Sequence, residues 1–176
     1  QRFAELQPED RRRAFLEMVA GISQAAVATS DLTTEYTVYP GIERYSVHAP
    51  RYAVRDGDYL YVSLPGASVS VPGVVGDTRV NPVYWSLEDR ATTVITLQLP
   101  PAFTNVQIAP AAIAWRAPAG GRVTFSTTHT NNVLTFVRRI TMRPTVLDSH
   151  IYPELLEMNR TLSHPATRTV LVTRDQ

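Results

Sequence analysis

Runs that alternate apolar and polar residues, each closed by a dipeptide suited to a tight reverse turn, steer this chain toward antiparallel sheets. Two pairs are sharpest. Residues 52–55 face residues 59–64 across Asp56-Gly57, and residues 122–128 face residues 133–142 across Asn131-Asn132. Asp, Asn and Gly tolerate the positive φ angles of two-residue hairpin loops, whose twist matches that of the strands they join. Because successive strand residues point to opposite faces, Leu60, Val62 and Leu64 share one face while Tyr59, Tyr61 and Ser63 share the other. On the last long run Leu134, Phe136, Ile140 and Met142 line one face, interrupted by Arg138.

Shorter runs follow the same grammar. Residues 33–39 and 44–48 are separated by Pro40-Gly41, 91–99 stops at Pro100-Pro101, and 106–108 and 112–116 precede a Gly120-Gly121 turn. The β-branched run 167–173 closes the series. Two segments have helical period instead. Phe15, Val19, Ile22 and Ala26 recur at steps of three and four over residues 8–28, and Leu155, Met158 and Leu162 do so after Pro153. Pro8 and Pro153 suit first-turn positions, where a missing N–H is harmless. Glu9 and Asp10 place negative charge at the positive end of the first helix dipole. The Arg11-Arg12-Arg13 run sits among acids and reads as a solvated helix face, with Glu9-Arg13 and Arg13-Glu17 as i,i+4 pairs.

These elements predict a mainly β chain: an antiparallel β-sandwich with an N-terminal helix and a short C-terminal helix. Composition loosens into Gly, Ser, Pro and Val over residues 65–90. That stretch suggests an N-terminal part, 1–88, with the helix and hairpins, and a C-terminal sandwich half, 89–176. A single continuous domain over 1–176 is the alternative.

Composition narrows the chemistry. The 176 residues contain no cysteine, which removes thiolate catalysis, thiolate metal sites and disulfides together. All 17 basic residues are arginine, so Schiff-base and P-loop lysine chemistry is excluded as well. A net charge of +1 gives no bulk attraction to nucleic acid or to an acidic membrane. No apolar run approaches the roughly 18 residues that would suggest insertion into a membrane. The opening residue is Gln1, and no signal-like segment follows, which suggests a piece of a longer protein.

His48, His129, His150 and His164 lie on unrelated elements without metal-ligand spacing, and no cofactor is expected. Asp56-Gly57-Asp58 lacks the later ligands of a calcium loop. Asp148, Ser149 and His150 are consecutive, whereas catalytic triads converge from separate elements, so capping of the following helix is the expected role. The aromatic residues carry the binding potential. Tyr59, Tyr61, Tyr84, Trp85 and Trp115 could present flat rings to a glycan or a partner, or pack inside the fold.

Three stretches carry a family resemblance. YTVYPGIERYSVHAPRYAVRDGDYLYVSLP, then RATTVITLQLP, then LTFVRRITMRPTVLDSHIYPELLEMNRTLSHPATRTVLVTR resemble the C-terminal region of bacterial transglutaminase-like multidomain proteins. The shared marks are Leu64-Pro65 and Leu99-Pro100 closing strands, and Tyr152-Pro153-Glu154-Leu155 opening the last helix, within a likeness that runs over residues 3–174. In that family an uncharacterised N-terminal β-domain precedes a transglutaminase-like core and a β-rich tail. The resemblance implies an exported parent in the bacterial envelope or outside the cell, its signal peptide beyond this piece. It also implies a non-enzymatic module whose partners are the other domains of the parent chain, with glycan or cell-wall binding as the alternative. None of the family's Cys-His-Asp positions carries over, since there is no cysteine here to match the nucleophile.

Overall fold

Pro8 opens helix α1 (Pro8–Ala20), with Glu9 and Asp10 in its first turn. The computed structural model describes residues 6–37, 41–85, 89–116 and 121–174. The helix stops well short of residue 28. Gly21 and Ser23 are weak helix formers, and the chain turns there through Gly21 N–H to Glu17 O (2.9 Å) and Ala26 N–H to Ser23 O (2.9 Å). Ala26 still packs on the helix, but from beyond the turn: it joins Leu32, Tyr45 and Val47 around the buried Phe15 and Val19. The Phe15 and Tyr45 rings meet edge to face at 5.6 Å. Arg13 pairs with Asp10 at 2.9 Å, an i,i+3 partner one residue nearer than Glu9 or Glu17.

Short ribbons complete this first compact unit, residues 1–52. Strand β1 (Val27–Ala28) and strand β2 (Thr33–Glu35) follow the helix, and β3 (Ile42–Arg44) and β4 (Val47–His48) come next, with β1 pairing β4 and β2 pairing β3. The expected strand 33–39 is thus three residues long. Its end, residues 38–40, lies outside the described residues.

The second unit, residues 53–176, contains the rest. Its strands are β5 (Val54–Asp56), β6 (Tyr59–Ser63), β7 (Val83–Trp85), β8 (Asp89–Gln98), β9 (Asn105–Ile108), β10 (Ile113–Arg116), β11 (Arg122–Thr130), β12 (Val133–Met142), β13 (Thr145–Leu147) and β14 (Thr169–Thr173). Helix α2 (Tyr152–Ser163) lies between the last two strands. They form an antiparallel β-sandwich of two four-stranded sheets, ordered β10-β11-β12-β8 and β5-β6-β14-β9, with β13 and β7 as a separate pair. The expected boundary at 88/89 falls inside this unit, because β6 pairs with β14 and β7 with β13 across it.

Turn chemistry sets the hairpins. Asn131 and Asn132 both adopt positive φ (48° and 61°), the conformation a two-residue β11-β12 loop requires, and Gly57 does so (57°) between β5 and β6. Residues 117–120, including half of the expected Gly120-Gly121 turn, lie outside the described residues. Alternation then sorts the faces. Val123, Phe125, Leu134, Phe136 and Met142 turn inward from one sheet, and Val62, Val170 and Val172 from the other. Leu155 and Leu162 of α2 are fully buried and Met158 is half-buried, as their spacing predicts.

Candidate functional site

The five aromatic candidates divide into two groups. Tyr59, Tyr61 and Tyr84 are 46%, 41% and 68% exposed, whereas Trp85 and Trp115 are only 4% and 6% exposed and belong to the interior. Tyr84 and Trp85 are neighbours on β7, so the pleat turns one out as it turns the other in. The buried indoles differ in their bonding. Trp85 Nε1 donates to the Pro72 carbonyl at 2.9 Å. Trp115 Nε1 is buried with no hydrogen-bond partner among the described residues.

Tyr61 is the centre of a larger feature. The register aligns Val54 of β5, Tyr61 of β6, Leu171 of β14 and Ile108 of β9 in one row across the whole sheet. Its flanks Val54, Tyr61 and Ile108 are exposed, and they shield Leu171 between them. Tyr59 stands in the next row, opposite Asp56 and Thr173. The outer face of this sheet is therefore an apolar and aromatic strip that no described element covers. Phe103, buried in the connection between β8 and β9, has the guanidinium groups of Arg55 and Arg174 at 5.7 and 5.6 Å from its ring.

The loop over residues 65–82 is organised in a way that sequence reasoning missed. Eighteen residues without regular structure are long for a connection inside a domain, yet side chains from α2 and β12 fix this one. Arg138 Nη1 donates to the carbonyls of Gly66 (2.8 Å), Ala67 (3.1 Å) and Ser68 (2.9 Å), and its Nη2 to Thr93 Oγ1 (2.8 Å). Asn159 Oδ1 accepts the Val71 N–H at 2.8 Å. The Tyr152 hydroxyl accepts the Val75 N–H at 3.0 Å and lies 2.8 Å from the Gly76 carbonyl. Arg79 ties the far end to its own loop through the carbonyls of Gly73 and Asn81. The signal in the sequence was Arg138 itself, a charge on an otherwise apolar strand face.

The four histidines are exposed, and no group of three or more His, Asp or Glu suited to a metal ion occurs among the described residues. Asp148 caps the short turn Ser149–Ile151 by accepting from the His150 N–H, and its carboxylate lies 3.2 Å from His150 Nδ1. That side-chain bond holds the Asp148 pKa below its ordinary value. In the first unit two adjoining grooves of about 710 and 610 Å³ share Ser30 and Asp31, with Arg12 on one and Glu43 and Arg44 on the other. Histidine is absent from both linings. No helix among the described residues is long and apolar enough to cross a membrane.

Comparison with known proteins identifies the fold and no more. No family model and no curated protein matches the chain. Among solved structures, the crystal structure of a "putative protease" from Parabacteroides distasonis superposes with a TM-score of 0.53 at 17% identity, over 65% of this chain and 23% of that one. This chain therefore corresponds to less than a quarter of that protein's length, and the likeness is one of fold.

Proposed function

We propose that this chain is a non-catalytic accessory β-sandwich module of an exported transglutaminase-like protein, acting through contacts with the other domains of its parent chain. The observation that carries the reading is the exposed strip of Val54, Tyr59, Tyr61 and Ile108 on the outer face of one sheet. A sheet face of this kind offers apolar area to a neighbouring domain and little chemistry to a substrate. Two further points support it. A similar fold, matching 65% of this chain, makes up under a quarter of a longer chain described as a "putative protease". The absence of cysteine also means that the nucleophile of a Cys-His-Asp core would have to lie outside these 176 residues.

Hydrogen exchange on the parent polypeptide and on this chain alone is the test. The reading expects slower exchange at β5, β6 and β9 in the parent, and a Cys-His-Asp core encoded beside this segment. Equal exchange in both, or flanking sequence without such a core, would overturn it.

Tyr59 and Tyr61 favour a second reading. Two exposed rings two residues apart on one strand face form a strip on which a glycan could stack. Titration of cell-wall oligosaccharides against tyrosine fluorescence decides it: saturable quenching lost in Tyr61→Ala supports a glycan module, and a flat response removes it.

A further inference from the structure

The four outer edges of the two large sheets are not alike. Strand β5 has three residues, and β9 and β10 have four each. The register against β9 also shifts between Leu171 and Val172. Short and irregular edges are how sheets avoid pairing with other chains. Strand β8 has none of these protections. It runs ten residues without a break in register against β12, contains no proline, and has its only charges, Asp89 and Arg90, at one end. Among the described residues no strand pairs with its other side.

The unused side of β8 can be assigned residue by residue. The Leu99 N–H donates to the Asn132 carbonyl at 2.8 Å, so the odd-numbered residues that precede it bond toward β12. Alternation then directs the N–H and C=O groups of Thr92, Val94, Thr96 and Gln98 to the open edge. The side chains tell the same story. Val94 is 59% exposed on the outer face. Ile95 and Leu97 point inward yet stay only half-buried, while Phe136 and Leu134 opposite them are fully buried.

We propose that β8 is a self-pairing edge through which two copies of this chain form a two-fold dimer, each large sheet continuing into the other. The occupant is a second copy because the strand is complementary to itself. With the two-fold axis at Val94, Val94 faces Val94 of the second copy, Thr92 faces Thr96, and Arg90 faces the neutral Gln98. On the inner side Ala91 faces Leu97 and Thr93 faces Ile95, so small residues meet large ones and inward faces stay inward. No like charges meet, and about ten backbone hydrogen bonds form at groups that now point out of the sheet.

Sedimentation of the 176-residue chain over a micromolar concentration series tests this. The expected result is a concentration-dependent dimer. Val94→Lys places two ammonium groups together on the axis and weakens self-association about a hundredfold, with an unchanged circular dichroism spectrum. Mixing Val94→Lys with Val94→Glu restores a dimer as a heterodimer, which a merely misfolded variant cannot do. The cysteine-free background gives a second arm. Mild oxidation links Val94→Cys into a covalent dimer much faster than Val54→Cys, which is equally solvent-facing but lies on β5. A monomer at every concentration, or equal cross-linking of the two cysteine variants, would overturn the proposal.

Discussion

The two large sheets of the second unit have the same number of strands and are assembled in different ways. In β10-β11-β12-β8 the first three strands follow one another along the chain, and an Asn131-Asn132 loop joins β11 to β12. In β5-β6-β14-β9 the central pairing joins residues 59–63 to residues 169–173. The first arrangement grows from a hairpin set by turn chemistry that acts over two residues, with β8 added to β12 from farther along the chain. The second exists only because the inward-facing Val62, Val170 and Val172 bury against the rest of the core, which must offset the entropy of closing a loop of about a hundred residues.

The largest effect should come from the central strand of the assembled sheet. Val170→Asp puts an unpaired charge at a fully buried position and should destabilise by about 4 kcal/mol or more. Amide exchange read strand by strand then shows whether β11 and β12 lose protection with β6 and β14. Shared loss makes the sandwich one cooperative unit, while protected β11-β12 amides would separate the sheets.

A smaller effect probes the link between them. Arg138 belongs to the locally built sheet and holds the carbonyls of residues 66–68, just beyond the end of β6. Arg138→Met keeps the stem and strips those carbonyls of their donor. It should cost about 2 kcal/mol in chemical denaturation and make the 65–82 loop the first target of limited proteolysis. A denaturation midpoint within error of the parent would mean that the loop is held by its other anchors, Asn159 and Tyr152.

The tryptophans give the finest comparison. Trp85→Phe removes the donor to Pro72 and should cost about 1–2 kcal/mol, whereas Trp115→Phe removes an indole N–H that has no partner among the described residues and should be nearly neutral or slightly stabilising. Thermal unfolding of the two variants side by side checks the sign of the difference. Equal losses would show that ring volume, not hydrogen bonding, decides both positions.

How far these features could be read from the sequence follows the same division. The hairpins were legible because Gly57 and Asn131-Asn132 act locally, although the loop is Gly57-Asp58, one residue later than the expected Asp56-Gly57, and the faces of β6, β8 and β12 were legible because alternation is a local geometric fact. That Tyr59 and Tyr61 share one face came with them, whereas the exposure of that face did not. The order β5-β6-β14-β9 was not legible, since nothing near Thr169 specifies Tyr59 through Ser63 as its partner. Nor was the end of α1 at Ala20, where apolar spacing continued to Ala26 although Gly21 and Ser23 break the helix beneath it. Trp85 faces inward where Tyr84 faces outward because adjacent strand residues point to opposite sides, but a three-residue strand after a Gly- and Pro-rich stretch has too little alternation to say in advance which side is buried. Burial of Trp115 depends on β11 and the strands beyond, and has no comparable local mark.

The position of β14 has a consequence for how the molecule is made. Thr169–Thr173 lies between β6 and β9, and bonds to both. As the chain leaves the ribosome, the β5-β6 hairpin and β9 emerge long before the strand that joins them. Until residue 173 clears the exit tunnel, two pairing edges wait beside an uncovered apolar face. The β11-β12 hairpin has no such wait, so the nascent chain should pass through a stage in which one sheet is largely formed and the other is a set of unjoined strands that a chaperone can hold.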